Sequence, residues 1–249
     1  MREKQLTYFF ENRWGTYSAT YISSSEKSSA VQPIIVFVHG FRTKKELYSW
    51  IGECLASQGY SALLFTVPST KLPNPYQWSD GIRSAIDYLL KKDSPLHNKI
   101  CSKKIGAMGH SMGGLGALIA GSEDSRIKCV ATLAPAILPR FFSIPKELYN
   151  IPVPIQLQIG SNDGLIPPEN VKTFFNNLSF KQKSYVEIEG GNHIRFLDKK
   201  TTSIIGEYLS RFGTLGRQFK DGRASITFEE QHDRSSTRFV EWFDHYLKH

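Results

Sequence analysis

The sequence predicts an α/β fold, a mainly parallel central sheet with helices on both faces, built as a single domain over residues 1–249. Three observations lead there. Short, continuous apolar runs such as Ile34-Ile-Val-Phe-Val38 have the pattern of strands covered on both sides. Amphipathic stretches of helical period alternate with these runs, and Gly or Pro marks most junctions. The composition, 40% hydrophobic and 22% charged, is that of a globular chain with a sizeable core, which excludes global disorder.

Taken in order, Leu6–Phe10 and Gly15–Ile22, with Tyr17, Ala19 and Tyr21 alternating, predict an antiparallel hairpin. The polar stretch Ser23–Ser29 is a loop inside the domain. After the strand Ile34–Val38, Thr43 with Glu46 predicts a capping box, and Leu47, Trp50, Ile51, Cys54 and Leu55 form a helical face that Gly59 closes. Ser61–Val67 is the next buried strand. Ile82, Ala85, Ile86, Leu89 and Leu90 line a second helix that ends in Lys91-Lys92. Then come a strand at Lys104–Gly109, a helix at Met112–Gly121, a strand at Lys128–Leu133 and a strand marked by Ile155, Leu157 and Ile159. A helix opening at Pro167-Pro168, a strand at Tyr185–Glu189 and a closing helix carrying Phe239, Val240, Phe243, Tyr246 and Leu247 complete the chain. Strand–helix alternation of this kind requires right-handed crossovers, and chemistry in such sheets collects at the carboxyl ends of the strands.

Composition narrows the function classes. No apolar run approaches the roughly 18 residues of a membrane span, and Met1–Phe10 gives way to Glu11, Asn12 and Arg13 without a signal-peptide pattern. The expected compartment is the cytoplasm. Cys54, Cys101 and Cys129 fit no zinc spacing and are expected to be reduced, mostly buried thiols. The net charge of +8 is densest over 194–224, where Arg195, Lys199, Lys200, Arg211, Arg217, Lys220 and Arg223 outnumber Asp198, Glu207 and Asp221. With no basic helical stripe and no nucleic-acid motif, this predicts a solvated basic surface and no nucleic-acid partner. Self-association is left open.

At the strand ends, Gly109-His110-Ser111-Met112-Gly113 is a G-x-S-x-G sequence falling where a strand meets a helix. A nucleophile on so tight a turn is pushed toward the substrate, and glycines two residues either side let strand and helix pass closely. Serine needs a base, and the base needs an orienting acid. The chain order Ser, acid, His is met by Asp163, after the strand that ends Gln158-Ile-Gly160, and by His193, after Glu189-Gly-Gly-Asn192. Glu187 and Glu189 are the reserve acids. Backbone N–H donors for a developing oxyanion are expected from Met112 and from Phe41 in His39-Gly40-Phe41. Gly40, Phe41 and His110 are expected to line the substrate, with His39 a packing and hydrogen-bonding residue. Glu229, Glu230, His232 and Asp233 have the composition of a metal cluster, but crowded into one helical turn they predict a solvated N-terminal segment. No metal or cofactor is expected.

These residues resemble the α/β-hydrolase superfamily across nearly the whole chain. Within it, H-G-F, G-H-S-M-G-G, G-S-N-D and G-G-N-H are similar to the dienelactone-hydrolase-like and cutinase-type serine esterases. The resemblance implies a cofactor-independent serine hydrolase cleaving carboxylic esters through Ser111, Asp163 and His193, with Phe41 and Met112 as donors. It departs from the dienelactone hydrolases, whose nucleophile is cysteine. It departs from the cutinase-type polyesterases at Leu133-Ala-Pro-Ala136, where alanine stands in place of tryptophan. The reading is a short- to medium-chain carboxylesterase acting on a small-molecule ester, with polyester or thioester hydrolysis, or a non-catalytic binding protein of the same fold, as alternatives. Residues 134–154, broken by Pro135, Pro139, Pro145, Pro152 and Pro154, are too short for a multi-helix cap. They predict a minimal cap or none, with Phe141, Phe142, Leu148 and Tyr149 as a small rim.

Overall fold

A computed structural model describes residues 4–24, 31–69, 72–141, 143–199 and 221–249. Within them the chain runs β1 (Lys4–Asn12), β2 (Gly15–Ser23), β3 (Gln32–Val38), α1 (Ser49–Ser57), β4 (Ser61–Thr66), α2 (Pro75–Leu90), β5 (Ile100–His110), α3 (Met112–Glu123), β6 (Ile127–Leu133), β7 (Ile155–Gly160), α4 (Pro168–Asn177), β8 (Lys183–Ile188) and α5 (Phe228–Phe243). One sheet takes these strands in the order β1-β2-β4-β3-β5-β6-β7-β8. The β1–β2 and β2–β4 pairs are antiparallel, and every pair from β4–β3 through β7–β8 is parallel.

The expected α/β architecture is present, and burial explains it. Ile34 to Val38 are fully buried because α1 covers one face of the sheet and α2 with α3 the other. In β2, Tyr17, Ala19 and Tyr21 alternate inward, and Phe10 stacks on Tyr17 with ring centroids 4.9 Å apart. Phe239 and Phe243 of α5 are buried beside Trp50 and Tyr60. A polar ladder ties α5 to β7: Ser235 Oγ donates to Gln158 Oε1 at 2.7 Å, and Gln158 Nε2 donates to Gln156 Oε1 at 2.7 Å. None of the three cysteines is in a disulfide. Cys129 is buried in β6, where desolvation pushes its thiol pKa up.

Some local expectations change. Thr43 and Glu46 form no capping box; a 3-10 turn at Lys45–Tyr48 precedes α1, and its N-cap has no side-chain bond. Thr43 Oγ1 donates instead to the Gly40 carbonyl at 2.9 Å, while Glu46 pairs with Lys45 at 2.5 Å. β5 begins at Ile100, four residues before the expected start. In the expected rim, Phe141 is 60% exposed, but Leu148 is buried in the core and Tyr149 packs on Phe174 of α4, with centroids 5.4 Å apart. Phe142, most of the Ser23–Ser29 loop and, from the basic stretch, Lys200, Glu207, Arg211, Arg217 and Lys220 lie outside the described residues. Among the described residues no helix is long and apolar enough to cross a membrane.

Candidate active site

Four segments meet at the carboxyl end of the parallel strands: the turn after β3, the β5–α3 turn, the loop after β7 and the loop after β8. Ser111 occupies the second of these with φ 55° and ψ −118°, a conformation that an L-residue holds only under constraint. The constraint is visible. Ser111 N–H donates to the Leu133 carbonyl at 2.9 Å, and its own carbonyl accepts from Ala136 at 2.9 Å and Leu115 at 3.1 Å. A Cβ on Gly109 would run into the Gly113 carbonyl, and one on Gly113 into the carbonyls of Val38 and His39. Only glycines let the strand and the helix pass at this distance. Met112 opens α3, so its N–H precedes the helical hydrogen-bond ladder.

The turn after β3 lies against this strained strand–helix turn. A Cβ built on Gly40 would sit 3.1 Å from the Ser111 Cβ and 3.3 Å from His110 Nδ1. Buried side chains hold the turn from behind. Trp78 Nε1 donates to the His39 carbonyl at 2.8 Å, and the Gly40 N–H donates to the Tyr48 hydroxyl at 3.3 Å. His39 Nε2 accepts from the Val67 N–H at 2.8 Å, which leaves Nδ1 to donate to the Gly40 carbonyl at 2.6 Å. Burial pushes the His39 pKa down to about 4, so this ring is neutral and structural. Phe41, half-buried, packs on Trp78.

Asp163 and His193 come together directly. His193 Nδ1 and Asp163 Oδ2 are 2.8 Å apart, with side chains 7% and 0% exposed. The second carboxylate oxygen, Asp163 Oδ1, accepts the N–H groups of Leu165 and Ile166 at 3.0 and 2.7 Å, which fixes the carboxylate plane. Burial alone would lower the His193 pKa, but the charge of Asp163, its hydrogen bond and the charge of Asp221 outweigh it, and the net shift is upward. His110, expected to line the substrate, is buried. Its ring lies 4.4 Å from that of His193, and its Nδ1 bonds the Tyr48 hydroxyl at 2.8 Å. Burial, and then the charge of His193, hold its pKa well below the usual imidazole value.

The reserve acids lie elsewhere. Glu187 and Glu189 are exposed, and Glu187 accepts from the Tyr185 hydroxyl. The four-residue acidic and histidine cluster is also dispersed: Glu229 pairs with Lys199, Glu230 with Arg234, and His232 stacks on Trp50 at 3.9 Å. The solvated segment expected there therefore excludes His232, which the apolar Trp50 face draws inward. Among the described residues no group of three or more His, Cys, Asp or Glu side chains could hold a metal ion.

Sequence reasoning did not single out the residues that fix the histidine loop. Gln231 of α5 clamps the Asn192 backbone from both sides, accepting its N–H at 2.9 Å and donating to its carbonyl at 2.8 Å. Asn192 Oδ1 accepts from Arg195 N–H at 3.0 Å. Nothing in the periodicity of α5 marks Gln231; it reads as one more polar position near a helix start.

Comparison with known proteins extends this picture. Residues 12–227 match the PET hydrolase-like family, PETase. Cutinase 1 of Thermobifida cellulosilytica is 29% identical over 70% of this chain and 65% of its own length. Cutinase est2 of Thermobifida alba is 30% identical over 70% of this chain and 57% of its length. Bis(hydroxyethyl) terephthalate hydrolase of Streptomyces coelicolor is 29% identical over 79% of this chain and 64% of its length. The chain thus spans somewhat less than two thirds of these relatives. An esterase structure from Pyrococcus furiosus superposes with a TM-score of 0.63 at 21% identity, covering 84% of this chain and 93% of that one, which shows a shared fold. With the family match running from the first strand to the start of α5, this chain belongs to the PET hydrolase-like family of α/β-hydrolases.

Proposed function

We propose that the chain is a serine esterase in which Ser111 is the nucleophile, His193 the general base and Asp163 its orienting acid. The observation that carries this reading is the buried 2.8 Å Asp163–His193 bond at the same sheet edge as the strained Ser111. The bond to Asp163 takes the Nδ1 proton, so Nε2 is the basic nitrogen. As Ser111 Oγ attacks the ester carbonyl, its proton passes to His193 Nε2, and the Asp163 carboxylate stabilises the imidazolium. The carbonyl oxygen becomes an oxyanion that accepts from the Phe41 and Met112 N–H groups. The C–O bond to the alcohol breaks, the alcohol leaves with the His193 proton, and water then cleaves the acyl-enzyme by the same steps in reverse order.

Short- to medium-chain carboxylic esters are the proposed substrates. Polyester or aromatic diester hydrolysis is the second reading, supported by the family match and by the activity that the Streptomyces relative's name prints. Three cysteines outside any disulfide fit a reducing compartment, and we place the chain in the cytoplasm.

Fluorophosphonate labelling combined with p-nitrophenyl esters of graded acyl length tests the reading. Stoichiometric labelling of wild type that Ser111→Ala abolishes is the expected result. A chain that neither labels nor turns over any ester is a binding protein of this fold. Turnover of bis(hydroxyethyl) terephthalate well above that of p-nitrophenyl butyrate would favour the second reading.

A further inference from the structure

We propose that Asp221 is a positioning residue that ties the acid-bearing loop to the histidine-bearing loop and sets the charge around the catalytic histidine. The inference rests on the Ser111–His193–Asp163 reading and goes beyond it.

Asp221 lies in a segment ahead of α5 that the triad itself does not use. Its Oδ1 accepts the Gly164 N–H at 3.0 Å, from the loop after β7, and the His193 N–H at 3.3 Å, from the loop after β8. Oδ2 accepts the Ile194 N–H at 2.9 Å, and Oδ1 also takes the Gly222 N–H at 2.8 Å. One carboxylate thus bridges the residue that follows the acid and the residue that carries the base.

The neighbouring backbone repeats the bridge. Asn162 Nδ2, beside Asp163, donates to the Arg223 carbonyl at 3.0 Å, and Asn192 Nδ2, beside His193, donates to the Gly222 carbonyl at 2.8 Å. Gly222 packs so tightly on the Asn162 carbonyl that no Cβ could be accommodated there. The 221–223 turn is therefore a strap across two loops, adding to the backbone bonds from Ser161 N–H to the Ile188 carbonyl at 3.0 Å and from Asn162 N–H to the Gly191 carbonyl at 2.8 Å.

Charge adds a second effect. Among the described residues, the groups facing His193 are Asp163 from the loop after β7, His110 from β5 and Asp221 from the strap. His110 is neutral, so Asp163 and Asp221 are the two carboxylates that favour the imidazolium. Removing one of them makes His193 less basic. Asn at 221 keeps an acceptor oxygen but no charge, and it tests geometry and charge together.

In full-length Asp221→Asn, kcat for p-nitrophenyl acetate should fall about tenfold, because small displacements of a base from its substrate are costly. KM should stay within twofold, and the acidic limb of kcat/KM should move to lower pH by a few tenths of a unit. A limb that coincides with wild type, whatever happens to Tm or kcat, makes Asp221 a purely structural residue and overturns the proposal. If Asp221→Asn does not fold, Asp221→Glu keeps the charge but moves the oxygens: a wild-type limb with lowered kcat supports the strap, and a wild-type kcat overturns it. Ser111→Ala run alongside separates the two ideas. An active Ser111→Ala sinks the serine reading itself, whereas an inactive one beside an unaltered Asp221→Asn sinks the strap alone.

Discussion

Ser111 carries backbone strain of about 1–3 kcal/mol that the Leu133, Leu115 and Ala136 contacts hold in place. On the proposed reading its hydroxyl serves the substrate rather than the fold, so Ser111→Ala should abolish ester hydrolysis and leave Tm within a few degrees of wild type, or higher. Residual activity within tenfold of wild type would identify another nucleophile. In the proposed mechanism His193 must be neutral to accept the serine proton, and its pKa is raised, so the acidic limb of kcat/KM should lie above the ordinary imidazole value of about 6.5. Asp163→Asn should lose roughly four decades in kcat through the wrong tautomer. A mild Asp163→Asn with a severe Glu189→Gln would reassign the acid. His39 works in the opposite direction. Its folded pKa of about 4 is depressed, so between roughly pH 6.5 and 4 the unfolded chain binds the extra proton, and stability falls as pH falls. Urea midpoints at pH 7 and pH 5 should show that loss, and His39→Gln should reduce it, leaving the share of His110, whose pKa is also depressed.

Elements differ in how far their sequence announces them. The buried strands were legible because their apolar runs are continuous, and Ser111, Asp163 and His193 stood out because each falls just past such a run. The capping box at Thr43 failed for a tertiary reason: the Gly40 carbonyl and the Tyr48 hydroxyl, both part of the turn beside Ser111, claim the Thr43 hydroxyl first. Gln231, Asn192 and Asp221 were not legible, since the backbone groups they tie down across the loops lie 27 to 57 residues away, and no local pattern encodes those distances. The strand–helix junction gives the strictest prediction at this scale. Gly109→Ala places a methyl against the Gly113 backbone, which a flexible side chain cannot relieve. It should cost at least about 2 kcal/mol and most of the activity, measured by urea unfolding and ester turnover. A stable, active Gly109→Ala would mean that the turn is far looser than this packing.

At the scale of the molecule, the segment 134–154 decides what reaches the site. Among its described residues only a 3-10 turn at Lys146–Asn150 interrupts it, with Leu148 buried in the core and Tyr149 packed on Phe174. Phe141 is largely exposed. On the proposed minimal-cap reading the site buries few substrate methylenes, each worth about 0.8 kcal/mol when fully removed from water, so long acyl chains should gain little. Acetyl to hexanoyl esters should outperform palmitoyl esters, and rates should show no jump as a substrate passes its micellar concentration. A sharp jump there, or a clear palmitoyl preference, would point to a mobile cover.

The burial of Cys129 in the middle of the sheet has a practical consequence. A thiol sealed behind β5, β7 and α5 can meet a reagent in solution only when the sheet itself opens. In a Cys54→Ser, Cys101→Ser background, the rate at which Ellman's reagent modifies Cys129 therefore serves as a clock for rare, large-scale opening under native conditions. Each variant considered above can be placed on that clock without denaturant, and those that disturb only the catalytic loops should leave it running at the wild-type rate.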